Sequence, residues 1–273
     1  HASYNTPEIC QRAKDSAGSE LTPGCIRSAR GNPRLQNMLL MMRLQYPDAC
    51  EQIRQEMEAY LQNNDNEDEE TVSDFLENML TEQLLNLLSE NEKGLLKAST
   101  LFQIPVPVKT LMKMAEEFCL SSEEGKRTGE RLLGLELWEC FEDGAHPDAA
   151  AAGPNEMARD KAGTLNREES SVLAKMVVAD LFKRWGGAEG REKRFFAADL
   201  ELARLAILAK DAYIVTLVAQ DAVWGLKERF LFRKAAEVAK DAIAILDAVG
   251  AEIPPALLRD ACEQCWQIGD LVN

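Results

Sequence analysis

The sequence predicts a mainly α protein that ends in a stack of helix pairs, and three observations predict it. Apolar residues recur at three- and four-residue spacing through long stretches, whereas β-like alternation is confined to short patches such as Ile104-Pro105-Val106-Pro107-Val108. Trp185-Gly186, Trp224-Gly225 and Trp266-Gln267-Ile268-Gly269 close three apolar helical runs about 40 residues apart. Alanine-rich faces, as in Ala235, Ala236, Ala239, Ala242, Ile243 and Leu246, let helices approach closely, and each pair then needs a neighbour to cover its remaining stripe.

Taken in order, the break Ser28-Ala29-Arg30-Gly31-Asn32-Pro33 precedes a helix over 34–43, with Leu35, Met38, Leu39 and Met42 on one face. A second helix is expected over 48–61. Residues 63–70 are Asn-, Asp- and Glu-rich with no apolar side chain, which reads as a solvated linker. From Thr71 a helix runs through Phe75, Leu76, Met79 and Leu80, and Ser89-Glu90-Asn91-Glu92 has capping-box spacing ahead of Leu95 and Leu96. Pro105 and Pro107 impose an extended break, after which helices return over 108–120 and 128–135. Leu137 to Gly144 alternates apolar with polar residues and closes on the turn pair Asp143-Gly144, as a hairpin would. The Ala-, Gly- and Pro-rich stretch up to Gly163 reads as a linker. Beyond Thr164 helices pair over 168–185 with 192–209 and 212–224 with 228–249, leaving 255–268 without a partner. The expected domains are therefore 1–62, 63–150 with its acidic start at 63–70, a linker at 151–163, and repeats over 164–273.

Of the net charge of −15, nearly all lies in residues 63–150, where 7 basic residues face 20 acidic ones. Such a segment repels a phosphate backbone, so nucleic acid is not the expected partner. No apolar run reaches the ~20 residues that span a bilayer, and the start does not resemble a signal peptide, so a cytoplasmic protein with no membrane partner is expected. The seven cysteines are odd in number and scattered, which suits reduced and mostly buried thiols. A start at His1 and an end just past Gly269-Asp270 read as those of a piece of a longer polypeptide.

Three groups of residues resemble the regulatory half of a STAND-type signal-transduction ATPase, the class of bacterial transcription activators and NLR-like defence proteins. Gly31-Asn32-Pro33-Arg34-Leu35 is similar to the Gly-x-Pro motif that opens the helical lid of that family. Leu87-Leu88-Ser89-Glu90-Asn91-Glu92-Lys93-Gly94-Leu95-Leu96, Leu101-Phe102 and Leu132-Leu133-Gly134-Leu135-Glu136-Leu137-Trp138 resemble its winged-helix domain. Lys234-Ala235-Ala236, Ala242-Ile243, Leu246 and Ile268-Gly269-Asp270 are similar to tetratricopeptide-like repeats. The resemblance implies a mainly α architecture of helical lid, winged helix and an α-solenoid of helix pairs. It implies that Gly31, Asn32 and Pro33 meet adenine only where a parent protein carries the nucleotide-binding domain. The chain departs from the family in having no G-x-x-x-x-G-K-[ST] loop, so it is expected to hold no cofactor itself, ATP or ADP belonging to an intact parent. It departs again after His146-Pro147, where an alanine run replaces the expected helix.

Little else in the chain suggests chemistry. Cys262-x-x-Cys265 is the one paired cysteine spacing, and without a second ligand pair it reads as packing rather than metal or redox chemistry. His146 has no orienting motif beside it, and the acidic run at 65–70 lacks the central glycine and closing glutamate of a calcium loop. The tryptophans are either repeat core or exposed anchors on a binding face. Arg191, Lys193 and Arg194 beside Phe195-Phe196 join charge to aromatics, as a solvated helix start or as a partner contact together with Trp224. The expectation is a non-enzymatic sensor module whose partners are a protein or peptide trigger and other domains of the same parent. A DNA-reading winged-helix regulator and an accessory piece of a multidomain enzyme, such as a protease or nuclease effector, are the alternatives.

Overall fold

The computed structural model describes Ala29 and residues 32–64, 68–119, 122–142, 150–191 and 194–269. Among them are twelve helices and three short strands. The helices are α1 (Pro33–Gln45), α2 (Pro47–Asn63), α3 (Glu69–Leu87), α4 (Glu90–Ser99), α5 (Val108–Cys119), α6 (Ser122–Gly134), α7 (Glu156–Lys161), α8 (Arg167–Arg184), α9 (Phe196–Ala209), α10 (Ala212–Lys227), α11 (Phe232–Ala248) and α12 (Pro255–Gln267). The strands β1 (Val106–Pro107), β2 (Trp138–Glu142) and β3 (Ala150–Pro154) line up in the order β1-β3-β2. The mainly α expectation holds. No helix among the described residues is long and apolar enough to cross a membrane.

The chain forms two compact units and passes between them more than once: His1–Thr100 with Leu111–Phe141 and Ala152–Thr164, then Leu101–Thr110 with Glu142–Ala151 and Leu165–Asn273.

In the first unit α1, α2 and α3 pack on one another, burying Leu35, Met38, Leu39 and Met42 of α1 against Ile53 and Met57 of α2 and Leu76, Leu80 and Leu84 of α3. Tyr60 and Phe75 stack at 3.9 Å between ring centroids. Residues 63–70 are less of a linker than their composition suggests: Asn63 closes α2, and Asp68 caps α3 by accepting from the Thr71 amide at 2.9 Å. Glu69 and Glu70 then meet the positive end of the helix dipole, which favours them there. The Ser89–Glu92 capping box is formed, and the buried Glu92 also takes Arg131 of α6 at 2.6 Å. Trp138 is 1% exposed and donates its indole N–H to Ser99 Oγ at 3.0 Å.

The expected linker at 151–163 is instead structured. Ala150–Pro154 is a strand with Ala151 and Ala152 buried, and Asn155 starts α7. The fully buried Asn155 accepts from the Ala158 amide at 2.7 Å and donates to the Glu136 carbonyl at 2.5 Å, fixing the chain after β3 to the turn before β2. Sheet pairing overrides composition here, because a short Ala-Gly strand draws its stability from its neighbours.

In the second unit α8 to α12 pack in sequence, and α9 also meets α11 as α10 meets α12. The segment Leu101–Thr110 is tied to these helices by Thr110 donating to Asp180 at 3.0 Å, the Gln103 amide donating to Glu201 at 3.0 Å, and Arg204 donating to the Leu101 carbonyl at 2.6 Å.

The two Trp-Gly steps are structurally unlike. Trp185 is buried at the end of α8 and Gly186 is left-handed with φ 94°, whereas Trp224 is exposed and Gly225 lies inside α10. A Cβ at Gly225 would clash with the ring of Phe196, so glycine there lets α9 and α10 close.

Helix ends share one device. After α6, α8, α9, α10 and α11 a left-handed residue follows (Glu136, Gly186, Lys210, Phe230 and Gly250), and the next amide returns to the carbonyl five residues back. Glycine is the usual occupant. A side chain there costs about 1 kcal/mol.

Two predictions follow from the first unit. Asn155→Ala removes a cap and the partner of the Glu136 carbonyl, so it should cost about 1–3 kcal/mol in urea unfolding, and Asn155→Asp, which keeps the cap but sets a buried carboxylate against that carbonyl, should cost at least as much. Equal midpoints for Asn155→Ala and the parent would remove Asn155 from this role. The second concerns Glu136, whose carboxyl is pushed up by burial, against the pull of Arg34 and of the Asn37 amide. Its folded form holds the proton more tightly than the unfolded chain does, so this contribution to stability is full in acid and declines as pH rises through the raised value. Glu136→Gln lacks that decline, so in thermal melts its advantage over the parent should grow from pH 4 to pH 7.

Candidate interaction surface

At the start of α9 the expected basic cluster is largely neutralised by neighbours. Arg194 is 8% exposed: its Nε donates to Asp199 at 2.6 Å, Nη1 donates to the Gly187 carbonyl, and the guanidinium sits over Phe182 at 5.6 Å. It ties the loop after α8 to the first turn of α9 and is not presented to a partner. Burial pushes the Asp199 carboxyl up even though Arg194 draws it down. Arg191 is exposed, yet both its Nε and Nη2 donate to Asp221 of α10, a bidentate pair that raises the arginine further. Lys193 lies outside the described residues.

The aromatics divide between core and surface. Phe195 is partly exposed and meets buried Trp185 edge-on at 6.4 Å. Phe196 is held between the backbone of Gly225 and the guanidinium of Arg229, 3.9 Å over its ring. Trp224 is 58% exposed, the outcome a binding anchor requires. Trp266 is exposed as well, and the sequence did not single out two further exposed aromatics of this unit, Tyr213 and Phe230. For Phe230 a signal existed, since Lys227-Glu228-Arg229-Phe230-Leu231 turns between two helices with neither glycine nor proline. Lys227 joins α10 to α12 through Glu263 at 2.5 Å and Asp260 at 3.6 Å, and the bond to Glu263 raises its pKa.

At the head of the first unit, Asn32 is the N-cap of α1, accepting from the Arg34 and Leu35 amides at 2.9 and 3.2 Å. Its Nδ2 donates to Ser73 at 2.7 Å and Glu77 at 2.9 Å, while Arg34 pairs with Glu77 and Glu139. The amide of Asn32 is thereby committed within the chain. Gly31 lies outside the described residues, as does the acidic stretch 65–67, and nothing is described of the Pro33 ring.

Among the described residues no three His, Cys, Asp or Glu side chains gather as a metal site would need. Cys262 is exposed and Cys265 half-buried, both free thiols, so the buried packing expected for the pair is not what α12 presents. His146 falls outside the described residues. One open cleft of about 350 Å³, lined by Glu82, Asn86, Lys93 and Lys161 among others, is bordered by the ion pair of Lys161 with Glu82. It brings together no nucleophile and base.

Comparison with known protein families and with curated proteins finds no match to the chain.

The two arginines should separate experimentally. Arg194→Met leaves Asp199 buried and unpaired and should cost about 3–5 kcal/mol of stability in urea unfolding. Arg191→Met opens an exposed pair and should cost no more than about 1 kcal/mol. A small, equal loss for both would overturn the structural role given to Arg194.

Proposed function

We propose that the chain is a non-catalytic regulatory module of a STAND-like signalling protein, acting in the cytoplasm, whose C-terminal helical array holds a protein or peptide trigger. The observation that carries this reading is the exposure of Trp224 on α10, Trp266 on α12 and Phe230 in the turn between α10 and α11. Large aromatics left outside a packed array are available as anchors. The order of elements supports it as well. The helix α1, capped by Asn32, and α2 lead into four more helices, a three-stranded sheet and the short α7, and five successive helices follow. In this reading the first pair is the lid, residues 63–150 are a winged helix that contacts protein, and α8 to α12 are tetratricopeptide-like pairs. Trigger binding would shift the lid and winged helix on an ATPase core carried by the parent, which would supply the ATP or ADP.

The charge of residues 63–150 favours a protein contact for the winged helix over a DNA contact.

The full chain, used as bait in its native cytosol beside a Trp224→Ala, Trp266→Ala chain, should retain a discrete protein that the double variant loses. Retention by both chains alike would reject the anchors. Salt-sensitive binding of a random DNA duplex by the parent chain would favour the DNA-reading alternative instead.

A further inference from the structure

We infer that the α10–α11 turn is a docking surface for an acidic peptide segment bearing apolar side chains, with Phe230 as its anchor. This deepens the reading of the array as a trigger-binding surface and rests on it.

Phe230 is 80% exposed, the most exposed large apolar side chain among the described residues, and its backbone is left-handed at φ 60°. The conformation is fixed by the Phe230 amide donating to the Lys227 carbonyl at 2.9 Å and the Leu231 amide to the Leu226 carbonyl at 3.0 Å. The corresponding position after α11 is Gly250 and after α8 is Gly186, so glycine suits this device in the same array. At Phe230 a bulky aromatic takes a strained backbone and gains no burial in return. Local strain without local compensation is a mark of function.

Its surroundings extend the surface. Leu231 is 48% exposed, Phe232 meets the Phe230 ring edge-on at 6.0 Å, and Trp224 stands exposed on the last turn of α10.

Charge selects the partner. Arg233 and Lys234 are exposed in the first turn of α11, which holds no acidic residue, and they pair with no carboxylate among the described residues. They also sit at the positive end of the helix dipole, where a cation is disfavoured. Lys227 is occupied by Glu263 and Asp260, and Arg229 by Phe196, so Glu228 is the only acidic residue between Lys227 and Lys234. A basic, aromatic surface on an acidic chain is complementary to carboxylates set beside an apolar side chain.

The test is a random dodecapeptide display library selected on the full chain, with the enriched peptides measured by fluorescence anisotropy on three variants. Enriched peptides should be rich in Asp and Glu around Leu, Met or an aromatic residue. Phe230→Gly should weaken them about tenfold or more while raising Tm by about 2–4 °C, since it relieves strain rather than unfolding the turn. Arg233→Glu with Lys234→Glu should weaken them similarly. Lys210→Gly, which relieves the same strain after α9, should raise Tm and leave affinity unchanged. Peptides that bind the parent and Phe230→Gly alike would overturn this inference and leave the trigger-binding reading standing, whereas failure to enrich any peptide would overturn both. Basic or neutral consensus peptides would overturn the assigned partner chemistry. So would binding to phosphatidylserine vesicles that Phe230→Gly abolishes.

Discussion

The close approach of α9, α10 and α11 along alanine faces is the constraint on which the second unit depends. Ala198, Ala203 and Ala206 of α9, Ala219 and Ala222 of α10, and Ala235, Ala236, Ala239 and Ala242 of α11 are all at most 1% exposed. A methyl group buries little area, so such faces are stable only where backbones come near enough for many weak dispersion contacts to add up. The Gly225 backbone against the ring of Phe196 is the extreme of that approach. Trp224 of α10 stays outside these faces, whereas Trp185, at the end of α8, is buried.

The first unit solves burial differently. Its core is Leu and Met, and three of its buried polar side chains are tied to partners, Glu92 to Ser89 and Arg131, Trp138 to Ser99, and Asn155 to Glu136 and Ala158, whereas the hydroxyl of buried Thr81 has none. Directional bonds to buried groups are strong only when complete, since an orphaned partner bears its full desolvation cost. This ties the few non-helical residues of the unit to fixed carbonyls. Asn32 does the same at its opening, where one amide both caps α1 and donates to two side chains of α3.

What the sequence made legible was what local physics decides. The helices over 34–43, 48–61, 108–120, 212–224 and 255–268 were readable because their periodicity lies within them, and the Ser89–Glu92 box formed as spaced. Ala150–Pro154 was not, because nothing in Ala-Ala-Ala-Gly-Pro prefers a strand until β1 and β2 flank it. The basic cluster was visible as composition, but its neutralisation was not: Asp199 is five residues from Arg194 and Asp221 is thirty from Arg191, and only the packing of α9 on α10 brings the latter pair together. The resemblance to STAND regulators rests on the order of short motifs, and the mainly helical character of the described residues constrains fold class rather than function.

The left-handed helix ends show where stability and another demand part company. Five ends use the same pair of backbone hydrogen bonds, so the backbone requirement is common to them and the occupant is free to vary. At Gly186 and Gly250 the occupant is the one that costs least. At Glu136 the side chain receives a bond from Asn37 and the field of Arg34, which offsets part of the strain. Lys210 is a solvated polar side chain, and its cost is only that of the backbone. Phe230 alone combines strain with a large apolar surface in water, a double penalty of which glycine would remove both parts. The edge-on contact of its ring with Phe232 offsets only part of that cost, and a peptide seated on the turn would offset the rest.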